Sequence, residues 1–384
     1  MALAPSSATN AFFSDLRIAD QAVRTGVVPG TAAKADRHWT LWEQFCQELH
    51  LQPLLPNHPD PVSCLQVFAV RYRRRLGPTG DPVRSTTVAD ALRSIGQTMA
   101  RMGATDLRLA SNGKLDFRLA RQLRSYSRQD PPPHRVKPIP IVIVKQVAIS
   151  AAASGAPADL AIADMIILAF FFLLRPGEYT GTNNDDTPFR LCDVVLTRGQ
   201  QHANLFWDTD AQLLASTGIS LTFTTQKNGV RGEVVHHGRS GHPTLCPVLS
   251  GARRIIHLRT RDAAPDAVLA AYCLQDRFKL VTTKDITAAL KAATAIHGPA
   301  YNFSPSDVSA RSLRAGGAMA LFNCDVDSDT IRLLGRWQSD AMLRYLHLQA
   351  QPVMRGFAAR MLRGGDYGFA PKQAIPDLHH VPMH

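Results

Sequence analysis

QDPPPHRVKPIP, residues 129–140, places five prolines in twelve positions. Proline lacks a backbone N–H and its ring clashes with the preceding helical turn, so neither a helix nor a central strand runs through such a stretch. It reads as an extended tether. A chain of 384 residues exceeds the usual size of one core, and 45% apolar residues are enough to fill two. The tether therefore marks the boundary between two domains.

Upstream of it the pattern is helical. TAAKADRHWTLWEQFCQELH, residues 31–50, sets Trp39, Trp42, Phe45, Cys46 and Leu49 on one helical face, and STTVADALRSIGQTMARMG opens at Ser85 as a plausible N-cap. Residues 1–20, rich in Ala, Ser and Asn, are expected to be a disordered tail. Downstream, helices are expected at about 142–153 and 158–174. A strand region then alternates Ile219, Leu221 and Phe223, followed by the turn signal Lys227-Asn228-Gly229 and VRGEVVHH, with FRLCDVVL (189–196) as a partner strand. From CPVLSGARRIIHL onward the pattern is helical again, ending in PVMRGFAARML at 352–362. The expected organisation is a tail (1–20), a helical domain (21–128), a linker (129–140), a second domain (141–365) and a C-terminal tail (366–384). The fold class is mainly α with a small antiparallel β-sheet.

The formal net charge is +12 and the isoelectric point about 9.7, which favours a polyanionic partner over a small neutral substrate. The excess sits mostly in residues 1–140, where 19 Lys and Arg face 11 Asp and Glu. Two clusters stand out: Arg71, Arg73, Arg74 and Arg75 in RYRRR, and Arg118, Arg121 and Arg124, spaced to form one basic stripe on a helix. The six cysteines are scattered with no C-x-x-C pair, so neither a disulfide framework nor a zinc site is indicated. The longest apolar run, MIILAFFFLL (165–174), is too short to span a bilayer and reads as a core helix. MALAPSSATN lacks the basic start and apolar stretch of a signal peptide. A nuclear protein is expected if the source is eukaryotic and a cytoplasmic one otherwise, with no membrane partner.

Several residues sit in settings suited to chemistry, each with a plainer structural explanation. Arg175 stands where the apolar helix gives way to P-G-E, with Pro176 suited to the first position of a new helix and Glu178 to its third; a capping or snorkelling arginine would look the same. In SARSLRAGGAMALF (309–322), Arg311 and Arg314 share one helix face. Gly316 and Gly317 cost that helix roughly 1 kcal/mol each relative to alanine, which makes sense if something approaches the backbone closely. Lys227 projects from a hairpin turn, where lysine is ordinary surface decoration. In LLGRWQSDAMLRYLH (333–347), Gly335 stops one helix, Ser339-Asp340 caps the next, and Tyr345 follows on its second turn with Trp337 in the bend. A Trp and a Tyr at such a corner are commonly packing residues.

The order of these residues carries more than any one of them. R-P-G-E after an apolar helix, a turn lysine about 50 residues on, then R-S-L-R, G-R-W and a tyrosine resembles the tyrosine recombinase (phage integrase) family. GRWQSDAMLRY is especially similar to the recombinases of crypton-type eukaryotic mobile elements, where G-R-W-S-S-D-A precedes the tyrosine at this step, and LCPV at 245–248 fits the same group. The resemblance covers roughly 140–365 by motif and 30–130 more weakly. It implies a helical DNA-binding domain and an α+β catalytic domain closing on double-stranded DNA as a C-shaped clamp. It also implies a homo-tetramer on DNA, monomer or dimer when free, and covalent 3′-phosphotyrosine chemistry with no cofactor, ATP or metal.

Carried over by position, Arg175 and Arg314 would hold the scissile phosphate and Glu178 would brace Arg175. Lys227 would protonate the leaving 5′ oxygen, Trp337 would donate its indole N–H to the phosphate, and Tyr345 would be the nucleophile. Arg71, Arg73, Arg74, Arg75, Arg118, Arg121 and Arg124 would contact backbone phosphates. The chain departs from the family at Arg311, where histidine is usual; arginine cannot accept a proton at neutral pH. A type IB topoisomerase shares the same catalytic set, and a decayed or domesticated DNA-binding protein would keep the clamp without the reaction.

Overall fold

The computed structural model describes residues 7–75, 82–132, 136–181, 187–224 and 232–337. The chain divides into two compact units, one ending at Arg135 and the other beginning at Val136. Lys227, Tyr345 and the expected helix at 352–362 lie outside the described residues.

The first unit consists of α1 (Ser7–Thr25), α2 (Pro29–Glu48), α3 (Pro61–Arg73), α4 (Ser85–Arg101) and α5 (Phe117–Gln129). Proline at the first position starts α2 and α3, where its missing N–H is harmless. Asp60 caps α3 through the Ser63 N–H and Asp116 caps α5 through that of Arg118. The amphipathic faces meet in one core around Trp42, Phe45, Leu65, Phe68, Leu92, Ile95, Met99 and Leu119. Trp42 stacks on Phe45 and meets Phe68 edge-on, and its indole N–H finds the Pro53 carbonyl at 2.8 Å.

Two expectations are corrected here. The segment expected to be a loose tail forms α1 over Ser7–Thr25, supported by an Asp20–Arg24 pair one turn apart. Ser85 is not a side-chain N-cap but the first residue of α4; its N–H is taken by Asp130, which also holds Arg73 at 2.8 Å and so ties α3 and α4 to the end of α5.

The second unit begins with α6 (Ile141–Ser154), α7 (Pro157–Phe171) and the single turn α8 (Pro176–Tyr179). There follow β1 (Val194–Arg198), β2 (Gln201–His202), α9 (Asp210–Leu214), β3 (Gly218–Phe223) and β4 (Glu233–Gly238). The rest is α10 (Pro247–Arg259), the strands β5 (Ala271–Leu274) and β6 (Arg277–Leu280), α11 (Thr283–His297), α12 (Arg311–Asn323) and α13 (Ser328–Leu334). The sheet order is β2-β1-β3-β4, antiparallel throughout, with Leu221 opposite both Val194 and Val235. The fold class is the one expected, mainly α with a small antiparallel sheet. In FRLCDVVL only the second half is strand; Leu191–Asp193 forms a tight helical turn that Asp193 closes on the Arg190 N–H.

The β5–β6 hairpin interrupts a region expected to be helical. Its turn is Gln275-Asp276, both with positive φ, which neither an N-G nor a D-G signature announces.

α7 is buried along most of its length, and its buried acid, Asp164 at mid-helix, pairs with Arg253 of α10. α12 packs against the end of α7 and the segment before α6 closely enough to explain the two glycines. A Cβ on Gly317 would fall 2.2 Å from the Phe170 carbonyl oxygen and 2.4 Å from the Leu173 side chain, and one on Gly316 would fall 2.5 Å from the Ile139 carbonyl. Gly317→Ala is therefore expected to force the helices apart and destabilise the second unit by about 1–3 kcal/mol. Thermal unfolding should show it as a lowered Tm, and an unchanged Tm would contradict the close approach. Among the described residues no helix is long and apolar enough to cross a membrane.

Candidate active site

The C-terminal end of a buried helix presents carbonyls with no helical partner and the negative end of the helix dipole. In this chain three arginines converge on that end of α7. Leu173 takes a left-handed conformation (φ 51°), which turns the chain out of the helix before Arg175. Arg175 then becomes the N-cap of α8, with Pro176 at the first position and Glu178 at the third, as the sequence predicts. The buried Glu178 carboxylate accepts the Arg175 backbone N–H at 2.7 Å through Oε2 and the Arg175 Nη1 at 2.8 Å through Oε1. The brace expected between Glu178 and Arg175 is thus present as a two-point contact. Arg175 keeps 29% of its side chain exposed, enough to reach a ligand.

Arg314 lies in the first turn of α12 and is buried, at 4% exposure. One Nη donates to the Leu173 carbonyl and the other to that of Gly335, so the guanidinium bridges the end of α7 and the end of α13. Its planar fork suits two carbonyl acceptors in a way a lysine could not match. Arg311, one turn earlier, is exposed at the start of the same helix.

The G-R-W bend closes the site. Gly335 follows α13, and a Cβ there would lie 1.6 Å from the Trp337 ring, so glycine is what lets the indole fold back. The Arg314 guanidinium stands 4.1 Å from the centroid of that ring. Between them Arg336 adopts a left-handed conformation (φ 57°), which sends its side chain inward. Arg336 is buried, donates to Glu178 Oε2 at 3.0 Å and to the Phe172 and Leu173 carbonyls, and lies 3.6 Å over the Phe223 ring at the end of β3. Burial pushes its pKa down to about 10, with Glu178 pulling the other way, so it is still charged at neutral pH.

Arg175, Glu178, Arg314 and Trp337 are therefore brought together from segments up to about 160 residues apart, while Lys227 and Tyr345 lie outside the described residues. Sequence reasoning missed Arg336. Its position inside G-R-W was on view, but nothing local signals that a charged residue beside a tryptophan turns inward. Tyr179, adjacent to Glu178, is fully buried, and its hydroxyl donates to the Ala310 carbonyl at 3.0 Å; burial pushes its pKa up. Among the described residues no cluster of His, Cys, Asp or Glu is arranged to hold a metal.

The basic residues of the first unit are not equivalent. Arg73 is largely buried, paired with Asp130 and laid over the Tyr126 ring, so it serves the helix bundle rather than an outside phosphate. Arg71 pairs with Glu48, and Arg118 with Asp60 and Asp116, both at the surface. The Arg118 guanidinium holds the Asp60 carboxyl well below the usual carboxylate range. Arg74, Arg75, Arg121 and Arg124 are exposed, with Arg75 over Tyr72 and Arg121 over Phe117.

No protein-family model matches this chain, and no curated protein matches it. Solved structures do. The Tn1549 transposon integrase in complex with transposon right end DNA is 14% identical, covers 90% of this chain and 98% of its own, and superposes with a TM-score of 0.50. The same integrase in complex with circular intermediate DNA is 14% identical over 89% of this chain and 97% of its own, at 0.49. The XerH site-specific recombinase bound to its difH substrate is 13% identical over 77% of this chain and 69% of its own, at 0.44. At such identities the likeness is one of fold: the chain shares the fold of the Tn1549 integrase over nearly its whole length.

Proposed function

We propose that this chain is a tyrosine recombinase of the crypton-type mobile-element group, which breaks and rejoins double-stranded DNA through a 3′-phosphotyrosine. The observation that carries the reading is the meeting of Arg175, Arg314 and Trp337 around the end of α7, from three distant motifs that occur in the family's order. The shared fold with the Tn1549 integrase supports it.

The chemistry follows from charge. Attack on a phosphodiester builds negative charge on the nonbridging oxygens, and guanidinium forks already fixed by protein carbonyls meet that charge without reorganising. The Tyr345 oxygen would bond to phosphorus as the bond to the 5′ oxygen breaks, with Lys227 giving the leaving oxygen its proton. The phosphotyrosine retains the energy of the cleaved bond, so a second 5′ hydroxyl can reverse the step. Phenol ionises near pH ~10, and concentrated positive charge lowers that value. Arg74, Arg75, Arg121 and Arg124 would contact backbone phosphate, with a steep salt dependence and no sequence information; Arg71 and Arg118 would first have to release their acids. A homo-tetramer on two DNA sites is the working form the reading implies.

One observation favours a second reading. Arg311 is exposed at the start of α12 and can donate but not accept a proton, so the phenol's proton must leave to water, and a decayed DNA-binding protein would tolerate such a residue. The experiment that separates the readings is incubation with nicked duplexes carrying the element's own ends, followed by denaturing electrophoresis. A covalent adduct supports the recombinase, whereas binding without an adduct supports the decayed form; relaxation of supercoils without strand exchange would point to a topoisomerase. Arg311→His restores a general base and is expected to raise adduct formation by about 10²-fold. An unchanged or lower rate would count against the role given to that position.

A further inference from the structure

Resting on that reading, we propose that Arg336 is a positioning residue whose charge keeps Arg175 available to the phosphate. A carboxylate bonded to a single guanidinium makes a closed pair with no net charge and little left to offer an anion. Glu178 would hold Arg175 in that state, since it accepts both the Arg175 backbone N–H and its Nη1. The structure provides a second cation for the same carboxylate: Arg336 Nη2 donates to Glu178 Oε2 at 3.0 Å.

Two guanidiniums sharing one carboxylate leave the cluster with one positive charge, and the exposed end of that charge is Arg175. Arg336 cannot reach a substrate itself, because its side chain is 1% exposed and donates to the Phe172, Leu173 and Leu334 carbonyls as well. The groups that face it are Glu178, Arg175 and Glu233, the last opposite Phe223 on the β3–β4 ladder. Arg336 also lies on Phe223, so it joins the R-P-G-E turn, the end of β3 and the G-R-W bend.

The test is a set of variants at two positions, read in two ways. Arg336→Met keeps the length and apolar stem of the side chain, and is expected to slow adduct formation about 100-fold, the scale of a small misplacement of a catalytic group, with duplex affinity within about twofold. Arg336→Lys, which retains the charge, should recover at least about tenfold of that loss. The decisive variant is the double one, Arg336→Met with Glu178→Gln. If Arg336 works by sharing the carboxylate, removing that carboxylate frees Arg175, and the double variant should cleave faster than Arg336→Met alone. A purely structural Arg336 would make the double variant slower than either single one, and that result would overturn the proposal.

The second readout needs no cleavage, so it stands even if wild type forms no adduct and the recombinase reading falls. Inorganic phosphate is titrated while the Arg175 side-chain N–H is followed by NMR. Phosphate should bind about tenfold more weakly to Arg336→Met than to wild type and regain affinity in the double variant. Equal affinity in all three would overturn the charge-sharing role by itself.

Discussion

Arg314→Met is expected to lower adduct formation by about 10³-fold, the scale on which one preorganised donor to a developing oxyanion acts. The same substitution should also destabilise the second unit by about 1–3 kcal/mol, because it takes from the buried Gly335 carbonyl the Arg314 donor and leaves that of Leu173 with only the longer bond from Arg336. The two effects separate experimentally. Arg314→Lys retains the charge but not the planar fork, so it cannot span both carbonyls, and Trp337 loses the flat cation on which it rests. Lysine should therefore restore part of the DNA affinity while recovering little of the rate. Thermal unfolding and adduct yield on the same preparations check this, and a methionine variant within tenfold of wild type would remove Arg314 from the catalytic set.

What the sequence could announce was whatever local chemistry determines. The proline run, the apolar periodicity of α2 and α4, the alternation in β3 and the R-P-G-E turn each follow from a few neighbouring residues, and each corresponds to an observed element or break. The glycine pair in α12 was legible as a demand for close approach, though not the partner; the Phe170 and Ile139 carbonyls come from segments some 150 residues away or more. Illegible features depend on long-range pairing. Arg73 looked like its exposed neighbours in RYRRR until Asp130 claimed it, and nothing local announced the left-handed bend that turns Arg336 toward Glu178. The β5–β6 hairpin was hidden for a different reason: two left-handed residues that are not glycine carry its turn. Charge spacing on a helix therefore identifies candidate phosphate contacts but cannot say which of them the fold has already used.

The largest effect is expected from Tyr345→Phe. The substitution deletes one oxygen, the atom proposed to attack phosphorus, and keeps the aromatic ring. Adduct formation should fall by something on the order of 10⁶-fold, as when other enzymes lose a covalent nucleophile, while duplex affinity stays within about twofold, because the proposed affinity rests on arginines meeting backbone phosphates. The alternative nucleophile closest to the arginines in sequence is Tyr179, next to Glu178, and the structure disqualifies it. Its hydroxyl is buried and already donates to the Ala310 carbonyl, and burial raises its pKa, so it is harder to ionise than a free phenol. Tyr179→Phe should therefore cost only the buried hydrogen bond, about 1 kcal/mol of stability, and leave the adduct in place. If the adduct instead survived Tyr345→Phe and disappeared with Tyr179→Phe, Tyr345 would lose its assigned role, and the cluster around α7 would have to bring its phosphate in from the opposite side.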